Sequence, residues 1–358
     1  MKILFLLHSY YKYNQGGAEL QVKYITEYMK NNSFEIYYIF LHDKDIEIID
    51  EELYLYGIKK QYFCEKLLGK LCYYSIVLSK IKKIQPDIIY HRNLSNFSLP
   101  IVQYCKNNNC ASILHLAHAN DLDNKILFNK KIILNILNQL GKQLLFKKFD
   151  RIIAQAKYQD ILLQKNFKRK ADIILGNIHP YPTEIIQKEQ KIKILWIANY
   201  KPWKQPELFV KLANECKNMN AEFILIGRDD QDIMLNFAKN NNVTYHGELS
   251  IDAVNKELAT AHIFINTSIA EGFPNTFIQA WMREVPVISL NVDPDNILTI
   301  HNIGFHSKTY DQLLKNTKEL INNHQLRMKM GKNAKKFSFE KYSLKNIDTI
   351  IQLIKDIR

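Results

Sequence analysis

A carboxylate and a short glycine-bearing loop stand where the sequence pattern changes from a buried strand to a helix. Glu271 follows the apolar run 262–266, and the loop after it leads into a helical pattern from Phe277. The loop consists of Gly272, Phe273, Pro274, Asn275 and Thr276. Backbone N–H groups at the start of a helix stabilise a diphosphate, and a carboxylate accepts hydrogen bonds from sugar hydroxyls. The pattern therefore predicts a site for a phosphorylated sugar, and a helix capped by Asn275 or Thr276 is a compatible alternative.

Cations are needed near such a site, because a departing nucleoside diphosphate gains negative charge as its bond to the sugar breaks. Lys204 lies in the loop after the strand pattern 193–198 and is the first candidate. Arg228 follows the strand pattern 222–227, and Lys201 is a further candidate. An ordinary surface lysine is the alternative for Lys204.

Two features of the first half carry further candidates. Gly16 and Gly17 follow the first apolar run, and glycines allow close approach of the backbone to a ligand, although a tight turn is the alternative. His118 lies just past the strand pattern 112–117. His115 is the alternative histidine, and Asp121 could orient a histidine or bind an acceptor.

Strand and helix patterns alternate along the whole chain, which predicts an α/β protein with parallel sheets covered on both faces. A proline-bearing segment, 179–183, separates two such series. We expect two doubly wound domains, 1–180 and 181–340, and a final helix over 342–357 within the segment 341–358. Ligands bind at the carboxyl ends of parallel strands, so the cleft between the two domains is the expected site.

Composition limits the remaining possibilities. The 358 residues carry a formal charge of +13, from 49 Lys+Arg against 36 Asp+Glu. Much of the excess lies in two amphipathic stretches, 59–83 and 125–148, which fit an anionic membrane surface or, alternatively, ordinary helices with a solvated lysine face. No signal peptide, no membrane-spanning run of ~18–20 apolar residues and no nucleic-acid recognition motif is evident. We expect a cytoplasmic protein, peripheral on the inner face of the membrane, with its five cysteines as free thiols and no nucleic-acid partner.

Two neighbouring segments, 268–281 and 285–288, resemble the donor-site pattern of the family 4 glycosyltransferases. Glu271 and Gln279, with seven residues between them, stand where that family has two glutamates. The resemblance implies a GT-B fold, with two Rossmann-like domains facing across a cleft, and transfer with retention of anomeric configuration. It assigns the donor-sugar hydroxyls to Glu271, the diphosphate to Phe273, Pro274 and Asn275, and the ribose to Gln279.

The same resemblance extends to the other candidates. Lys204 falls on the family's diphosphate-binding lysine, and Asn199 falls where the family usually has an arginine. The run from Gly16 to Glu19 is a form of the family's first loop, which approaches the phosphates and the acceptor. His118 matches a histidine near the donor sugar. The final helix matches one that returns to the first domain in the family.

These observations predict a retaining hexosyltransferase that moves a sugar from a UDP- or GDP-sugar to a hydroxyl of a lipid-linked or polysaccharide acceptor in bacterial cell-surface glycan synthesis. We expect front-face attack, with the departing phosphate accepting the proton. We also expect no metal and no cofactor, because no Asp-x-Asp pattern stands at a cleft loop, and the nearest, Asp293 to Asp295, falls after the donor strand. The alternatives are a catalytically impaired sugar-nucleotide-binding protein, suggested by Gln279 and Asn199, and a GT-B epimerase. The sequence disfavours a nicotinamide dehydrogenase, because no G-x-G-x-x-G follows a strand.

Overall fold

The computed structural model describes residues 1–14, 16–68, 71–117, 119–124, 132–182, 188–239 and 241–357. The chain divides into two compact units: Met1–Ile178 with Leu344–Arg358 form the first, and His179–Ser343 form the second. Each unit is built on its own β-sheet. The chain therefore enters the second unit once and leaves it once.

The first unit is built on an eight-stranded sheet. Its strands are β1 (Lys2–Leu6), β2 (Glu35–His42), β3 (Ile46–Asp50), β4 (Leu53–Lys59), β5 (Ile88–Arg92), β6 (Ala111–His115), β7 (Arg151–Ala154) and β8 (Ile173–Ile174). They lie in the order β3-β4-β2-β1-β5-β6-β7-β8. β3 pairs antiparallel with β4, and the other pairings in the described part of this unit are parallel. Leu4, Ile39 and Ile89 are fully buried, as expected for strands covered on both faces.

Six helices of the first unit precede the second unit in the described part of the chain. They are α1 (Gly17–Lys30), α2 (Tyr62–Leu68), α3 (Tyr74–Ile84), α4 (Ser98–Asn107), α5 (Ile132–Lys148) and α6 (Lys157–Phe167). The basic stretch 59–83 contains α2 and all but the last residue of α3, and the stretch 125–148 contains α5. Residues 69–70 and 125–131 lie outside the described part. Every helix in the described residues is too short or too polar to cross a bilayer.

The second unit contains a six-stranded sheet in the order β11-β10-β9-β12-β13-β14. The strands are β9 (Ile192–Ile197), β10 (Ala221–Ile226), β11 (Thr244–Tyr245), β12 (Ile263–Asn266), β13 (Val287–Ser289) and β14 (Gly304–His306). The helices are α7 (Pro206–Glu215), α8 (Ile233–Ala238), α9 (Ile251–Thr260), α10 (Asn275–Trp281), α11 (Ile297–Ile300), α12 (Tyr310–Asn322) and α13 (His324–Tyr342). All the strand pairings described here are parallel, and Ile194, Phe223 and Ile265 lie in the core.

The expected single helix over 342–357 is wrong. α13 ends at Tyr342, and Ser343 adopts extended backbone angles (φ −73°, ψ 159°). A 3-10 turn follows at Leu344–Ile347, and α14 (Asp348–Lys355) then packs in the first unit, where the Tyr28 hydroxyl donates to Asp348 at 2.8 Å. Helical spacing of the apolar residues continues across the break, so periodicity alone hides it.

The cysteines also differ from the expectation of free thiols, as Cys72 shows. Cys105, Cys110 and Cys216 are free thiols, whereas Cys72 is disulfide-bonded. Nothing in the spacing of the cysteines marks Cys72, so the expectation of five free thiols is wrong there.

Candidate functional site

Glu271 is oriented by side chains at the end of β12. Its Oε1 accepts hydrogen bonds from the Ser268 hydroxyl at 2.7 Å and from the Asn266 amide at 3.0 Å. Asn266 is fixed in turn from the neighbouring strand, because the Ser289 hydroxyl donates to its Oδ1 at 3.3 Å. These three supporting residues are buried. The sheet beneath the loop therefore sets the position of the carboxylate.

Lys204 ends a short 3-10 turn, Pro202–Lys204, that follows β9. The Lys204 amide donates to the Lys201 carbonyl at 2.8 Å. Gln205 then adopts a left-handed backbone conformation (φ 50°), and Pro206 opens α7. Proline fits at this helical position because its missing N–H would have no partner within the helix. The backbone of Lys204 is thus held between a closed turn and a helix start.

The loops after β9 and β12 are joined by hydrogen bonds. The Thr267 hydroxyl lies 2.7 Å from the Lys204 carbonyl oxygen and 2.8 Å from that of Gln205, and it accepts a hydrogen bond from the Trp196 indole at 2.8 Å. The Ile269 amide donates to a carbonyl in the 3-10 turn, also at 2.8 Å. Because Thr267 is fully buried, these bonds are shielded from water and fix one loop against the other.

The result is an ion pair between the two predicted catalytic residues of the second unit. Lys204 Nζ lies 2.8 Å from Glu271 Oε2, and the two side chains are 18% and 17% exposed. Both oxygens of the carboxylate are therefore engaged, Oε1 with neutral donors and Oε2 with the cation. A phosphate beside Lys204 would meet a cation that is already oriented. A sugar hydroxyl beside Glu271 would meet an oriented carboxylate that accepts its hydrogen bond.

The loop 272–276 joins this pair to α10. Pro274 is the residue before the helix, no side chain caps the helix, and Asn275 and Thr276 begin it, so the helix-cap alternative is not what the structure shows. Phe273 is buried, and its ring packs against Trp281 and Tyr342, with ring centres 6.4 and 5.1 Å away. The Phe273 side chain therefore anchors the loop in the core, which leaves its backbone, with that of Gly272, as the part able to face a ligand.

Gln279 lies on α10 and is also buried. Its Nε2 donates to Asn255 Oδ1 on α9 at 3.1 Å. The amide oxygen is the group able to accept a hydrogen bond from a ribose hydroxyl, because the amide nitrogen only donates. The predicted ribose contact is thus held in one orientation by a residue that the sequence pattern did not single out.

Asn199 and Arg228 lie together at the ends of β9 and β10. The Arg228 amide donates to Asn199 Oδ1 at 2.9 Å, while the Arg228 guanidinium lies 3.5 Å from Asp230 and is about half exposed. Gly227, between the two loops, has φ 148°, and a Cβ there would lie 1.9 Å from the Ala198 carbonyl oxygen. Glycine is therefore required at Gly227, and Asn199 serves the backbone of the loop that carries Arg228.

The remaining predicted residues lie in the first unit. Gly16 caps α1, where its carbonyl accepts from the Leu20 amide at 3.0 Å, and Gly17 is the first helical residue. A side chain at Gly16 would collide with the carboxylate of Glu19. His118 lies outside the described residues.

His115, the alternative to His118, is a buried residue of β6. Its Nε2 lies 3.3 Å from the Leu175 carbonyl oxygen and its Nδ1 lies 3.3 Å from the guanidinium of Arg92. Burial, with the Arg92 charge adding to it, holds the pKa of His115 well below its usual range. His115 is therefore a neutral structural histidine of the sheet. Asp121 accepts from the Leu94 amide at 3.3 Å.

The Asp-x-Asp pattern serves the backbone. Asp293 Oδ1 accepts from the Leu298 amide at 2.9 Å, and its Oδ2 lies 3.8 Å from His306. Burial raises the pKa of this carboxyl group. In the described parts of the chain, no group of three or more His, Cys, Asp or Glu is placed to hold a metal ion.

With these features in place, comparison with solved structures shows the fold. Sucrose-phosphate synthase of Thermosynechococcus elongatus is 12% identical, with a TM-score of 0.79 over 100% of this chain and 99% of that one. Anabaena HepE, in a complex with UDP and glucose, is 15% identical, with a TM-score of 0.74 over the whole of both chains. The chain has the GT-B glycosyltransferase fold, with two Rossmann-like domains.

Sequence comparison matches the second half of the chain to a family model. Residues 181–337 match the model of the family described as Glycosyl transferases group 1. An uncharacterized glycosyltransferase of Methanocaldococcus jannaschii is 26% identical over 197 residues, which cover 53% of this chain and 54% of that protein. The chain thus matches about half the length of that relative. The residues that match this family model include both members of the Lys204–Glu271 pair.

Proposed function

We propose that this protein is a retaining hexosyltransferase that moves a sugar from a UDP- or GDP-sugar to a hydroxyl of a lipid-linked or polysaccharide acceptor in bacterial cell-surface glycan synthesis. The observation that carries the proposal is the Lys204–Glu271 ion pair after β9 and β12, within the residues that match the model of Glycosyl transferases group 1. HepE, which has a similar fold, binds UDP and UDP-glucose, and this favours a uridine nucleotide as donor.

The proposed roles follow from the chemistry of each group. Glu271 accepts hydrogen bonds from hydroxyls of the donor sugar. Because its own position is fixed, it holds the anomeric carbon in place for attack by the acceptor hydroxyl. Lys204 stabilises the charge that grows on the departing diphosphate. The acceptor hydroxyl attacks from the side of the leaving group, the anomeric C–O bond breaks, and the departing phosphate oxygen takes the hydroxyl proton. This reaction needs neither a metal nor a cofactor.

We further propose that the protein docks on the inner face of an anionic membrane. Tyr62 and Phe63, at the start of α2, are 71% and 83% exposed, close in sequence to Lys59, Lys60 and Lys66. On α5, Leu140 and Leu144 are 55% and 46% exposed in the basic stretch that ends with Lys147 and Lys148. Exposed apolar side chains among lysines fit a surface of anionic lipid headgroups over acyl chains.

Donor binding tests the main proposal. Thermal unfolding is followed with UDP, UDP-glucose, GDP and GDP-mannose, for the wild type and for Glu284→Gln, a control that removes a 2.7 Å ion pair with Lys335 elsewhere in the same unit. A ligand at 100 times its Kd adds about 2.7 kcal/mol to the free energy of unfolding. We expect a uridine or guanosine compound to stabilise both proteins. If none of them stabilises the folded chain, the donor-site proposal fails.

Product analysis separates this proposal from its alternatives. A transferase releases nucleoside diphosphate in proportion to the glycosylated acceptor. An epimerase releases a free sugar or an epimerised nucleotide sugar, and it does so without any acceptor. A binding protein that has lost catalysis is stabilised by the donor but consumes none in the presence of any acceptor.

Membrane docking is tested by sedimentation with vesicles of phosphatidylglycerol and, separately, of phosphatidylcholine. We expect binding to the first and not to the second, and a loss of binding in Tyr62→Ser/Phe63→Ser. Ile300→Ser, which removes a 67% exposed side chain of the second unit, is the control and keeps binding. Equal binding to both vesicles, or no effect of the double change, would contradict this proposal.

A further inference from the structure

Two free thiols of the first unit lie in contact where α4 ends and β6 begins. The Cys105 thiol donates a hydrogen bond to Cys110 Sγ, and the two sulfur atoms are 3.4 Å apart. A disulfide bond is about 2.0 Å long, so the two sulfurs need to approach by about 1.4 Å to be joined. Neither cysteine takes part in the candidate functional site described above.

The backbone holds this contact from both sides. Cys105 lies in the last turn of α4, which ends at Asn107, and Cys110 comes immediately before β6. Asn108 leaves the helix with extended backbone angles (φ −139°, ψ 162°), and its side chain donates to the Tyr104 carbonyl at 2.8 Å. The Cys110 amide then donates to the Asn108 carbonyl, also at 2.8 Å. The fold therefore keeps the two sulfurs together, because each is fixed to a separate packed element.

Cys110 is the accessible member of the pair. Cys105 is only 8% exposed, whereas Cys110 is half-buried and borders a cavity of about 500 Å³. This cavity lies where β5, β6 and β7 begin, and polar side chains at its border include Asn109, Asp150 and Arg151. A cavity of this size admits a small molecule, and its polar border suits a hydrophilic one. A small reagent can therefore reach Cys110 before it reaches Cys105.

The environment of Cys105 also makes it the second thiol to react. Its hydrogen bond to Cys110, together with burial, raises the pKa of the Cys105 thiol. In exchange with a disulfide the attacking species is the thiolate, so a thiol that holds its proton more firmly attacks less readily. Cys105 becomes reactive when its partner sulfur is already part of a disulfide, because the target then lies in contact with it.

We propose that Cys105 and Cys110 form a reversible disulfide by exchange with a low-molecular-weight disulfide. The Cys110 thiolate attacks one sulfur of this reagent, a mixed disulfide forms, and one thiolate leaves. The Cys105 sulfur then gives up its proton and attacks Cys110 Sγ, and the second thiolate leaves. The two cysteines lose two electrons and two protons, and the reagent takes them up as two thiols. An excess of thiol reverses both steps. The inference does not depend on the transferase function proposed above.

The experiment uses the full chain, with its existing disulfide at Cys72, in mixtures of oxidised and reduced glutathione. Free thiols are then blocked with iodoacetamide, and the chain is digested with trypsin. Lys106 lies between the two cysteines, so trypsin separates them in the dithiol form and leaves their peptides joined in the disulfide form. We expect joined peptides in oxidised glutathione and separate peptides after an excess of reduced glutathione.

Single variants test the order of the two steps. In Cys105→Ser we expect glutathione to remain attached to Cys110, because the second attack is lost. In Cys110→Ser we expect Cys105 to stay unmodified, because the accessible sulfur is lost. Cys216→Ser removes a buried free thiol of the second unit and is the matched control, which should form the disulfide as the wild type does.

A comparison with the unfolded chain tests the role of the fold. In one glutathione mixture, we expect the ratio of disulfide to dithiol to be about tenfold higher in the folded chain than in urea, because folding keeps the sulfurs in contact. Four results would overturn the inference: the peptides stay separate in the wild type, glutathione remains on its Cys110, either cysteine becomes joined to a different cysteine, or the ratio in the folded chain does not exceed that in urea.

Discussion

Lys204 and Glu271 form a 2.8 Å ion pair, although they belong to different loops of the second unit. Hydrogen bonds fix the position of each residue. The Thr267 hydroxyl bonds to the Lys204 carbonyl oxygen, and Asn266 and Ser268 donate to the Glu271 carboxylate. Two partly buried charges placed this way neutralise each other until a ligand supplies better partners. The site is therefore organised before the donor arrives, which lowers the cost of binding it.

Glu271→Gln should strongly reduce transfer while leaving the fold intact. The glutamine oxygen can still accept from Asn266 and Ser268, but the contact with Lys204 loses its charge. We expect transfer, measured as nucleoside diphosphate released with acceptor, to fall by about 10²–10³. The free energy of unfolding should fall by about 1–3 kcal/mol, between the values for exposed and buried pairs. Wild-type transfer in Glu271→Gln would contradict the assignment, and Glu284→Gln should be fully active.

Lys204→Met should weaken donor binding more than it weakens stability. Losing a charge-assisted bond to the diphosphate costs about 1.5–3 kcal/mol, which is about 10–100-fold in affinity for UDP measured by titration calorimetry. Lys211→Met, which removes an exposed lysine of α7, should bind UDP normally.

Lys204→Met also tests whether the ion pair couples Lys204 to Glu271. In a double-mutant cycle with Glu271→Gln, we expect the loss of stability to be smaller than the sum of the single losses. Strict additivity, within about 0.3–0.5 kcal/mol, would show that the pair contributes nothing.

Gly227→Ala and Gly141→Ala should have opposite effects. At Gly227 the backbone has φ 148° and an added Cβ would meet the Ala198 carbonyl, so we expect a loss of about 1–3 kcal/mol or more and weaker UDP binding. At Gly141, inside α5, an added Cβ meets nothing within 4 Å, and alanine should stabilise by about 0.5–1 kcal/mol. Urea unfolding measures both. Equal effects at the two positions would contradict this reading of Gly227.

Acid should destabilise the protein through its buried histidines. Desolvation lowers the pKa of His91 and His179 to about 3, and that of His262, which nearby Lys188 also affects, to about 4. Unfolded histidines take up protons below their usual pKa of about 6.5, whereas these remain neutral when folded. The free energy of unfolding should thus be unaffected above that pH and fall below it, by at most about 1.4 kcal/mol per pH unit for each histidine.

His262→Asn isolates one of these contributions. The asparagine oxygen can accept from the Lys193 amide in place of the ring nitrogen, which lies 3.1 Å from it. Urea unfolding at pH 7, 6 and 5 should show a smaller dependence on pH than in the wild type. An unchanged slope would mean that His262 titrates equally in both states.

Chelation should leave transfer unchanged. Asp293 uses one carboxylate oxygen for the Leu298 amide, so it is committed to holding α11. We expect the same rate of nucleoside diphosphate release with excess EDTA and with added manganese. Loss of activity in EDTA that manganese restores would contradict the proposed metal independence.

Much of the fold was predictable, because parallel strands buried on both faces read as continuous apolar runs. The runs that contain Ile3, Ile89 and Ile265 all became core strands. The β3–β4 hairpin and β14 were not predicted. Ile48 and Ile49 of β3 are both exposed, so no alternation marks that strand, and β14 has three residues.

The sequence pointed to the charged residues of the candidate site and to the loop and Gln279 beside them, but not to the residues that hold them in place. Glu271 and Lys204 stand out by type and by position after a strand, but their contact depends on how two distant loops pack. Asn266 and Thr267 do their work through hydrogen bonds that no local pattern reveals. A polar residue at the last position of a buried strand is the one signal that could have identified Asn266.

The second unit is an insert within the first. The two ends of the second unit lie side by side. The His179 amide donates to the Tyr342 carbonyl at 2.8 Å, and His179 and Ser343 form an isolated parallel β-bridge. During synthesis, all of residues 179–343 leave the ribosome before α14 does. The second unit can therefore finish folding before the first unit, which still lacks its last helix at that stage. Cutting the gene after Ser343 would deprive the first unit, rather than the second, of a packed element.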